Sequence, residues 1–172
     1  MGQEGCRNLN LSLNVTEDHP MSEPLLGTDI ITQVAIITGD IEAKARTWAE
    51  LLGVPVPEIR ITGPYEESQA QYKGQPTLAR AKLAFFKLGP QVSLELIEPI
   101  DRPSTWGDQL DQHGDSLHHI AFRIQGMGEK LALLDGQGIS LVQKGEYTGG
   151  RYAYVDGVEK LGATLELLEN DA

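Results

Sequence analysis

Two nearly identical six-residue segments constrain the organisation of this chain more than any other feature. They are residues 93–98 (SLELIE) and residues 164–169 (TLELLE). Each closes a stretch that opens with a similar apolar segment, residues 33–37 (QVAII) and residues 119–123 (HIAFR). Because self-similarity of this kind is the signature of a repeated structural unit, the chain is predicted to contain two tandem copies of one small module.

Apolar periodicity predicts the same order of elements in both copies. The first is predicted to have a strand, a helix, a broken edge strand and a hairpin, over residues 30–37, 40–53, 54–61, 81–88 and 91–97. The second is predicted to have a strand, a helix that ends at Gly138, and three more strands, over residues 118–124, 127–138, 139–143, 151–155 and 163–168. Each copy is therefore a β-α-β-β-β unit. The predicted fold class is α+β, with modules at about residues 30–99 and 117–169.

Three segments lie outside this repeat. Residues 1–28 are polar and lack apolar periodicity, so they are predicted to form a flexible tail before a single domain over residues 29–172. Residues 62–77 are rich in Gly, Pro, Glu and Gln and are predicted to form a long loop inserted in the first module. Residues 103–113 are predicted to form a helix between the modules, with Ser104 as its N-cap.

Composition excludes several classes of partner. No apolar run approaches the roughly 20 residues that a membrane-spanning helix needs. The formal net charge of −11 argues against binding to nucleic acid or to an anionic membrane, since both attract basic surfaces. The single cysteine, Cys6, allows no internal disulfide and favours a reducing, cytoplasmic location. A small molecule is the expected partner.

Strand alternation predicts one apolar face and one polar face for the repeated strands. Side chains of successive strand residues point to opposite faces, so Gln33, Glu95, His119 and Glu166 are predicted to share the face away from the helices. Small residues flank them in the sequence, at Ala35, Ser93, Ala121 and Thr164. Small neighbours leave space around each polar group, and a polar concavity over a packed sheet is typical of a binding site.

A single Glu or His in a strand more often has a solvated or structural role than a functional one. Here the same two positions of both modules carry an oxygen or nitrogen donor, which favours a shared site. Three oxygen donors and one imidazole suit a divalent cation such as zinc, cobalt, nickel or manganese. The sequence therefore predicts a metal site at Gln33, Glu95, His119 and Glu166.

The paired modules and their ligand positions resemble the vicinal-oxygen-chelate superfamily, which includes glyoxalase I, methylmalonyl-CoA epimerase, extradiol dioxygenases and bleomycin-resistance proteins. The resemblance covers about residues 30–169 and is closest to methylmalonyl-CoA epimerase. It rests on residues 94–99 (LELIEP), 117–122 (LHHIAF) and 148–150 (TGG). It implies a glyoxalase-like fold, in which the two modules form a curved, partly open mixed sheet, and it implies a homodimer.

Two positions differ from the epimerase pattern. Gln33 stands where the epimerases ordinarily have His, and the resulting ligand set resembles that of some zinc-dependent glyoxalase I enzymes. Leu83 stands where some epimerases have an acidic residue that transfers a proton. The resemblance still implies the same metal ligands in this chain, at Gln33, Glu95, His119 and Glu166.

The expected activity is that of a metal-dependent isomerase or epimerase, which moves a proton alpha to a carbonyl of an acyl-CoA through a metal-stabilised enolate. Glu166 is the predicted catalytic base, with Glu95 as its partner on the other face of the substrate. Two alternatives stay open. One is a lyase of the glyoxalase I type, and the other is a metal-free binding protein of the bleomycin-resistance type.

Other polar and aromatic residues receive weaker predictions. His118 is expected to pack or to support a ligand, and Glu98 and Glu169 are expected to lie on the surface. The cations Lys82, Lys87, Arg123 and Arg151 are either surface residues or a countercharge for an anionic substrate. The aromatic residues Tyr65, Tyr72 and Trp106 either cover the cavity or pack against the fold.

Overall fold

Two β-α-β-β-β modules lie side by side in one mixed sheet. The computed structural model describes residues 24–171. Most of the predicted N-terminal tail, with Cys6, lies outside these residues; within its last part, Leu26 packs against an apolar cluster of the second module. The strands are β1 (Ile31–Ile37), β2 (Arg60–Ile61), β3 (Gln71–Tyr72), β4 (Gln75–Pro76), β5 (Ala81–Leu88), β6 (Val92–Pro99), β7 (Ser116–Arg123), β8 (Leu141–Tyr147), β9 (Gly150–Val155) and β10 (Thr164–Asn170). The helices are α1 (Ile41–Leu52), α2 (Tyr65–Ser68), α3 (Thr105–His113), α4 (Met127–Gly136) and α5 (Val158–Leu161).

The sheet is pseudo-symmetric about its two central strands. Its strand order is β2-β5-β6-β1-β7-β10-β9-β8-β3-β4. Strands β1 and β7 pair antiparallel at the centre, and each pairs in parallel with the last strand of its own module, β6 or β10. The sheet curls into a half-barrel, which confirms the predicted α+β fold of two tandem modules in a curved, partly open mixed sheet. None of the helices in residues 24–171 has the length and apolar character needed to cross a bilayer.

The helix ends follow from their capping residues. Asp40 accepts a hydrogen bond from the backbone N–H of Ala43 at 2.9 Å, and Gly53 ends α1 with a φ of 66°. Ser104 caps α3 in the same way, with the N–H of Gly107 as its donor at 3.0 Å. The predicted N-cap at Ser104 and the predicted limits of α1 at residues 40 and 53 are confirmed, whereas α4 ends at Gly136 rather than at Gly138.

Each module buries its helix against the outer, convex face of the sheet. In the first module, β5 and β6 contribute Ala84, Phe86, Leu94 and Leu96 to a cluster with Ile41, Ala45 and Ala49 of α1. In the second, the cluster contains Ile120, Phe122, Leu165 and Leu167 together with Met127, Leu131 and Leu134. Because the apolar side chains of alternating strand residues are used here, the intervening residues face the concave side.

The inserted segment differs from its prediction. Residues 62–77, predicted as a loop, contain the short helix α2 and the hairpin β3–β4. Strand β3 adds to the edge of β8 in the second module, with Tyr72 opposite Gln143. Only β2 pairs within the predicted broken strand 54–61. Two-residue strands carry no detectable periodicity, so the sequence pattern alone could not reveal them.

Candidate metal centre

The register of the four central strands places the predicted ligands in a diagonal pattern. One row across the sheet reads Glu95, Ala35, His119 and Thr164, from β6 through β1 and β7 to β10. The next row on the same face reads Ser93, Gln33, Ala121 and Glu166. Each donor therefore has a small residue opposite it on the adjoining strands of this group, and the donors can approach one another in the space between.

Three of the predicted ligands meet at one point. The Nε2 atom of His119 lies 3.1 Å from Oε2 of Glu166 and 3.4 Å from Oε2 of Glu95. One ligand atom from each of these residues lies within 4.8 Å of the others, and all three side chains are buried. Gln33 lines the same cavity as Glu95 and Glu166.

Four buried side-chain atoms in residues 24–171 lack a hydrogen-bond partner, and they are one atom from each predicted ligand. These are Oε1 of Gln33, Oε2 of Glu95, Nε2 of His119 and Oε2 of Glu166. The contacts of His119 with the two carboxylates are close, but neither has the alignment of a hydrogen bond. Proteins satisfy nearly all of their buried polar atoms, so four unsatisfied ligand atoms lining one site fit a group that binds a cation.

The charges in this cluster perturb one another strongly. Burial and the negative charge of Glu166 raise the pKa of Glu95, although contact with His119 opposes this shift. Burial alone would lower the pKa of His119, but the charge of Glu166 and the contacts with both carboxylates raise it to about 9. Two buried carboxylates at one point repel each other, and a dication would relieve that repulsion. Three oxygens and one imidazole nitrogen fit zinc, cobalt, nickel or manganese.

His118 lies directly behind His119. The Nδ1 atoms of the two rings are 2.9 Å apart, and the ring of His118 packs edge-on against Tyr154 at 5.1 Å. Burial and the charge of His119 hold the pKa of His118 well below its usual value. His118 is therefore a neutral neighbour of the site and is not one of the groups that converge on it.

A cavity of about 1020 Å³ opens above the cluster. Its wall includes Trp106, Tyr152 and Tyr154, and Trp106 donates a hydrogen bond from Nε1 to the Tyr154 hydroxyl at 3.1 Å. Burial raises the pKa of the Tyr154 hydroxyl well above its usual value, so that group stays protonated. Leu83 and residues of the 62–77 insertion also line the cavity. At the position of Leu83, where some epimerases have an acidic residue, the cavity wall is therefore apolar.

Sequence reasoning missed Tyr152 and Tyr154, and for Tyr72 and Trp106 it left two roles open, covering the cavity or packing against the fold. Tyr154 on β9 lies opposite Glu166 on β10. This proximity can be recognised only when the register of the two strands is known. Trp106 is buried in the cavity wall, and Tyr72 is buried with its hydroxyl donating to Asp108, so neither forms a mobile cover.

Glu98 and Glu169 are partly exposed on the side away from the cavity, and each makes contacts there that the sequence did not predict. Glu98 accepts a hydrogen bond from the N–H of Ile41 at 2.8 Å and pairs with Lys82 at 2.9 Å. Glu169 accepts hydrogen bonds from residues 126 and 127 and pairs with Arg151 at 2.9 Å. These ion pairs lie on the convex side, so Lys82 and Arg151 are not a countercharge for a ligand in the cavity.

Comparison with known proteins identifies a family and several structures of similar fold. A family model described as Glyoxalase/Bleomycin resistance protein/Dioxygenase superfamily matches residues 32–155. A curated relative, the uncharacterized protein YqjC of Bacillus subtilis (strain 168), is 34% identical over 93 residues. That match covers 52% of this chain and 66% of YqjC, just under two thirds of its length.

Several solved structures share the fold. Methylmalonyl-CoA epimerase from Mycobacterium tuberculosis is 19% identical with a TM-score of 0.59, over 90% of this chain and 95% of that one. A Streptomyces coelicolor methylmalonyl-CoA epimerase variant in complex with 2-nitronate-propionyl-CoA is 20% identical with a TM-score of 0.56, over 83% and 97%. The hypothetical protein BH1468 from Bacillus halodurans C-125 is 16% identical with a TM-score of 0.59, over 83% and 95%. At these identities the likeness shows the fold alone. Because the superfamily match spans more than half of its residues, the chain belongs to the glyoxalase/bleomycin resistance protein/dioxygenase superfamily.

Proposed function

We propose that this chain is a metal-dependent isomerase or epimerase that moves a proton on the carbon alpha to a carbonyl group. The observation that carries the proposal is the set of four unsatisfied buried atoms, one from each position at which the two modules present a donor. Burying two carboxylates and an imidazole against each other costs free energy, and a metal-free binding protein would gain nothing that offsets this cost.

Gln33, Glu95, His119 and Glu166 are the proposed metal ligands, through the atoms that lack partners. When bound, a divalent cation supplies Lewis-acid stabilisation of the negative charge that develops on a substrate oxygen during proton removal. Burial of the ligands excludes water from this point, which strengthens electrostatic interactions there.

Glu166 is the proposed base that removes the alpha proton. Glu95 is its proposed partner, and the two residues come from equivalent strands of the two modules, β10 and β6. Carboxylates related by a pseudo-twofold axis can reach a bound carbon from two sides, so one can take the proton and the other can return it.

An acyl-CoA is the proposed substrate class. Solved methylmalonyl-CoA epimerases with this fold include one in complex with methylmalonyl-CoA. The cavity, at about 1020 Å³, has room for an acyl group and part of the arm that carries it. Arg60 and Arg123 lie in its lining, and Arg123 makes no ion pair with another residue in 24–171, so it is available to an anionic substrate on a protein of strongly negative charge.

The metal is tested first, on untagged protein incubated with zinc, cobalt, nickel and manganese and then dialysed. Elemental mass spectrometry is expected to find about one tightly held ion per chain, because Glu95, His119 and Glu166 meet at one point and Gln33 lines the same cavity. Absence of all four metals would refute the metal-dependent mechanism and favour the binding-protein alternative.

The reaction is tested by exchange of the alpha proton of methylmalonyl-CoA in heavy water. Metal-loaded protein is expected to catalyse the exchange, and Glu166→Gln is expected to lose at least about 10²-fold of the rate, the usual worth of a positioned base. Glu50→Gln on the exposed side of α1 is the matched control and should behave like the parent. Full exchange by Glu166→Gln would refute its role as base.

Gln33 and Leu83 favour one second candidate, a lyase of the glyoxalase I type that isomerises a thiol hemithioacetal. Its chemistry is also a proton transfer next to a carbonyl, so the same ligands and base would serve it. Parallel assays with methylmalonyl-CoA and with the hemithioacetal of methylglyoxal and glutathione separate the two activities, since each predicts turnover of one substrate.

A further inference from the structure

A β-bulge brings His118 to the metal centre. On β1, Ala35 lies opposite His119 and the next residue, Ile36, lies opposite Leu117, so His118 has no partner in the register. Strict alternation would turn the side chain of His118 away from that of His119. Bulges break that alternation and re-aim side chains, and they are frequent beside active sites.

The two histidine rings are joined through a single proton. Their Nδ1 atoms are 2.9 Å apart and both side chains are buried, with exposures of 7% for His118 and 0% for His119. One Nδ1 must donate and the other must accept. The opposite nitrogen of His119, Nε2, faces Glu95 and Glu166 and is one of the four unsatisfied atoms.

We propose that His118 is a positioning residue whose Nδ1 accepts the Nδ1–H of His119. This arrangement leaves Nε2 of His119, rather than Nδ1, directed at the point where the carboxylates of Glu95 and Glu166 meet. It also fixes the ring plane of His119, in the way that hydrogen-bonded partners orient metal-ligating histidines. The inference rests on the proposed metal site for its purpose, but the direction of the hydrogen bond can be tested without metal.

Nitrogen-15 NMR of the histidine rings tests that direction in the full chain, with and without zinc. Two-bond nitrogen–proton correlations report which ring nitrogen carries the proton, and the His118 signals are assigned by their loss in His118→Asn. We expect His118 to be neutral with its proton on Nε2 in both states. A proton on Nδ1 of His118 would overturn the proposal.

Two substitutions at position 118 test the consequence for metal binding. His118→Asn keeps an acceptor oxygen near the place of Nδ1, whereas His118→Leu removes the acceptor and keeps an apolar side chain. Zinc affinity, measured by competition with a chelator, is expected to fall about 10- to 100-fold in His118→Leu and to stay within about threefold of the parent in His118→Asn.

Equal zinc affinities of the Leu and Asn variants would overturn the proposal, because a purely structural role would make both behave alike. If His118→Leu does not fold, the retained affinity of His118→Asn and the NMR result still decide the question. If the parent chain binds no zinc, the proposed function fails, and the NMR measurement alone then supports or overturns the hydrogen bond.

Discussion

Glu98 and Glu169 perform the same task in the two modules: each carboxylate accepts a hydrogen bond from the first backbone N–H of its own module's helix, at Ile41 of α1 or Met127 of α4. Each also pairs with the residue opposite it on the neighbouring strand, Lys82 or Arg151. The repeated hexapeptide thus carries two functions. Its first glutamate faces the cavity, and its last one binds the positive end of a helix on the outer side.

Glu98→Ala is expected to reduce the free energy of unfolding by about 1 kcal/mol, as for the loss of a helix cap, and to leave metal stoichiometry unchanged. Urea unfolding measures the change, with Glu50→Ala on the exposed side of α1 as the control. Glu169→Ala should behave alike. A loss of bound metal in either variant, with the fold intact, would contradict the assignment to the outer face.

Tyr154→Phe is expected to destabilise the protein by about 1 to 3 kcal/mol, because the buried Nε1–H of Trp106 would lose its acceptor. Thermal and urea unfolding measure the loss. Tyr65→Phe is the matched control, since the Tyr65 hydroxyl makes no hydrogen bond with residues in 24–171. Equal stability of Tyr154→Phe and the parent would show that the Trp106 hydrogen bond contributes nothing.

Ala121→Val is expected to abolish metal binding while the chain still folds. Ala121 lies between Gln33 and Glu166 in the register, so added methyl groups occupy the space in which the donors converge. Overpacking of this kind costs about 1 to 3 kcal/mol. Ala153→Val, in the apolar cluster on the convex face, is the control for overpacking alone and should retain the metal. Both variants are compared by elemental mass spectrometry and unfolding.

Asp115 should make stability depend on acid pH. An ion pair with Lys44 and hydrogen bonds from Gly39 and Thr38 hold the pKa of its carboxyl below the usual value. A depressed carboxyl pKa contributes stability above the unfolded-state value, about 3.9, and loses it as pH falls through the folded-state value. The stability difference between the parent and Asp115→Asn should therefore be constant from about pH 5 to 7 and shrink below about pH 4.

Urea unfolding at a series of pH values measures this difference. Asp29→Asn is the control, because the exposed Asp29 side chain makes no hydrogen bond or ion pair with another residue in 24–171. A stability difference between the parent and Asp115→Asn that grows towards low pH would contradict the prediction.

The sequence predicted the parts of the fold that depend on local pattern. Alternation placed Glu95, His119 and Glu166 on one face. The start of α1 at Asp40 and the N-cap of α3 at Ser104 were readable because helix ends depend on a few adjacent residues. The roles of these residues in metal binding and catalysis stay predictions.

What the sequence could not predict depends on contacts between distant strands. The bulge at His118 exists only in the pairing of β7 with β1, and alternation alone assigns His118 to the wrong side. The contacts of Glu98 and Glu169 could not be predicted for a similar reason, since the position of a helix end relative to a strand depends on packing. The signal was available in part, because both glutamates recur at the same place in the repeat.

Strand β3 has a consequence for the independence of the two halves. It belongs to the first module in sequence but extends the edge of the second, where Lys73 also donates its backbone N–H to Val142 at 2.7 Å. Either half expressed alone would expose backbone groups that the other half now satisfies. The two modules are therefore expected to unfold together, and exchange of whole modules between two chains would require the pairing of β3 with β8 to break first.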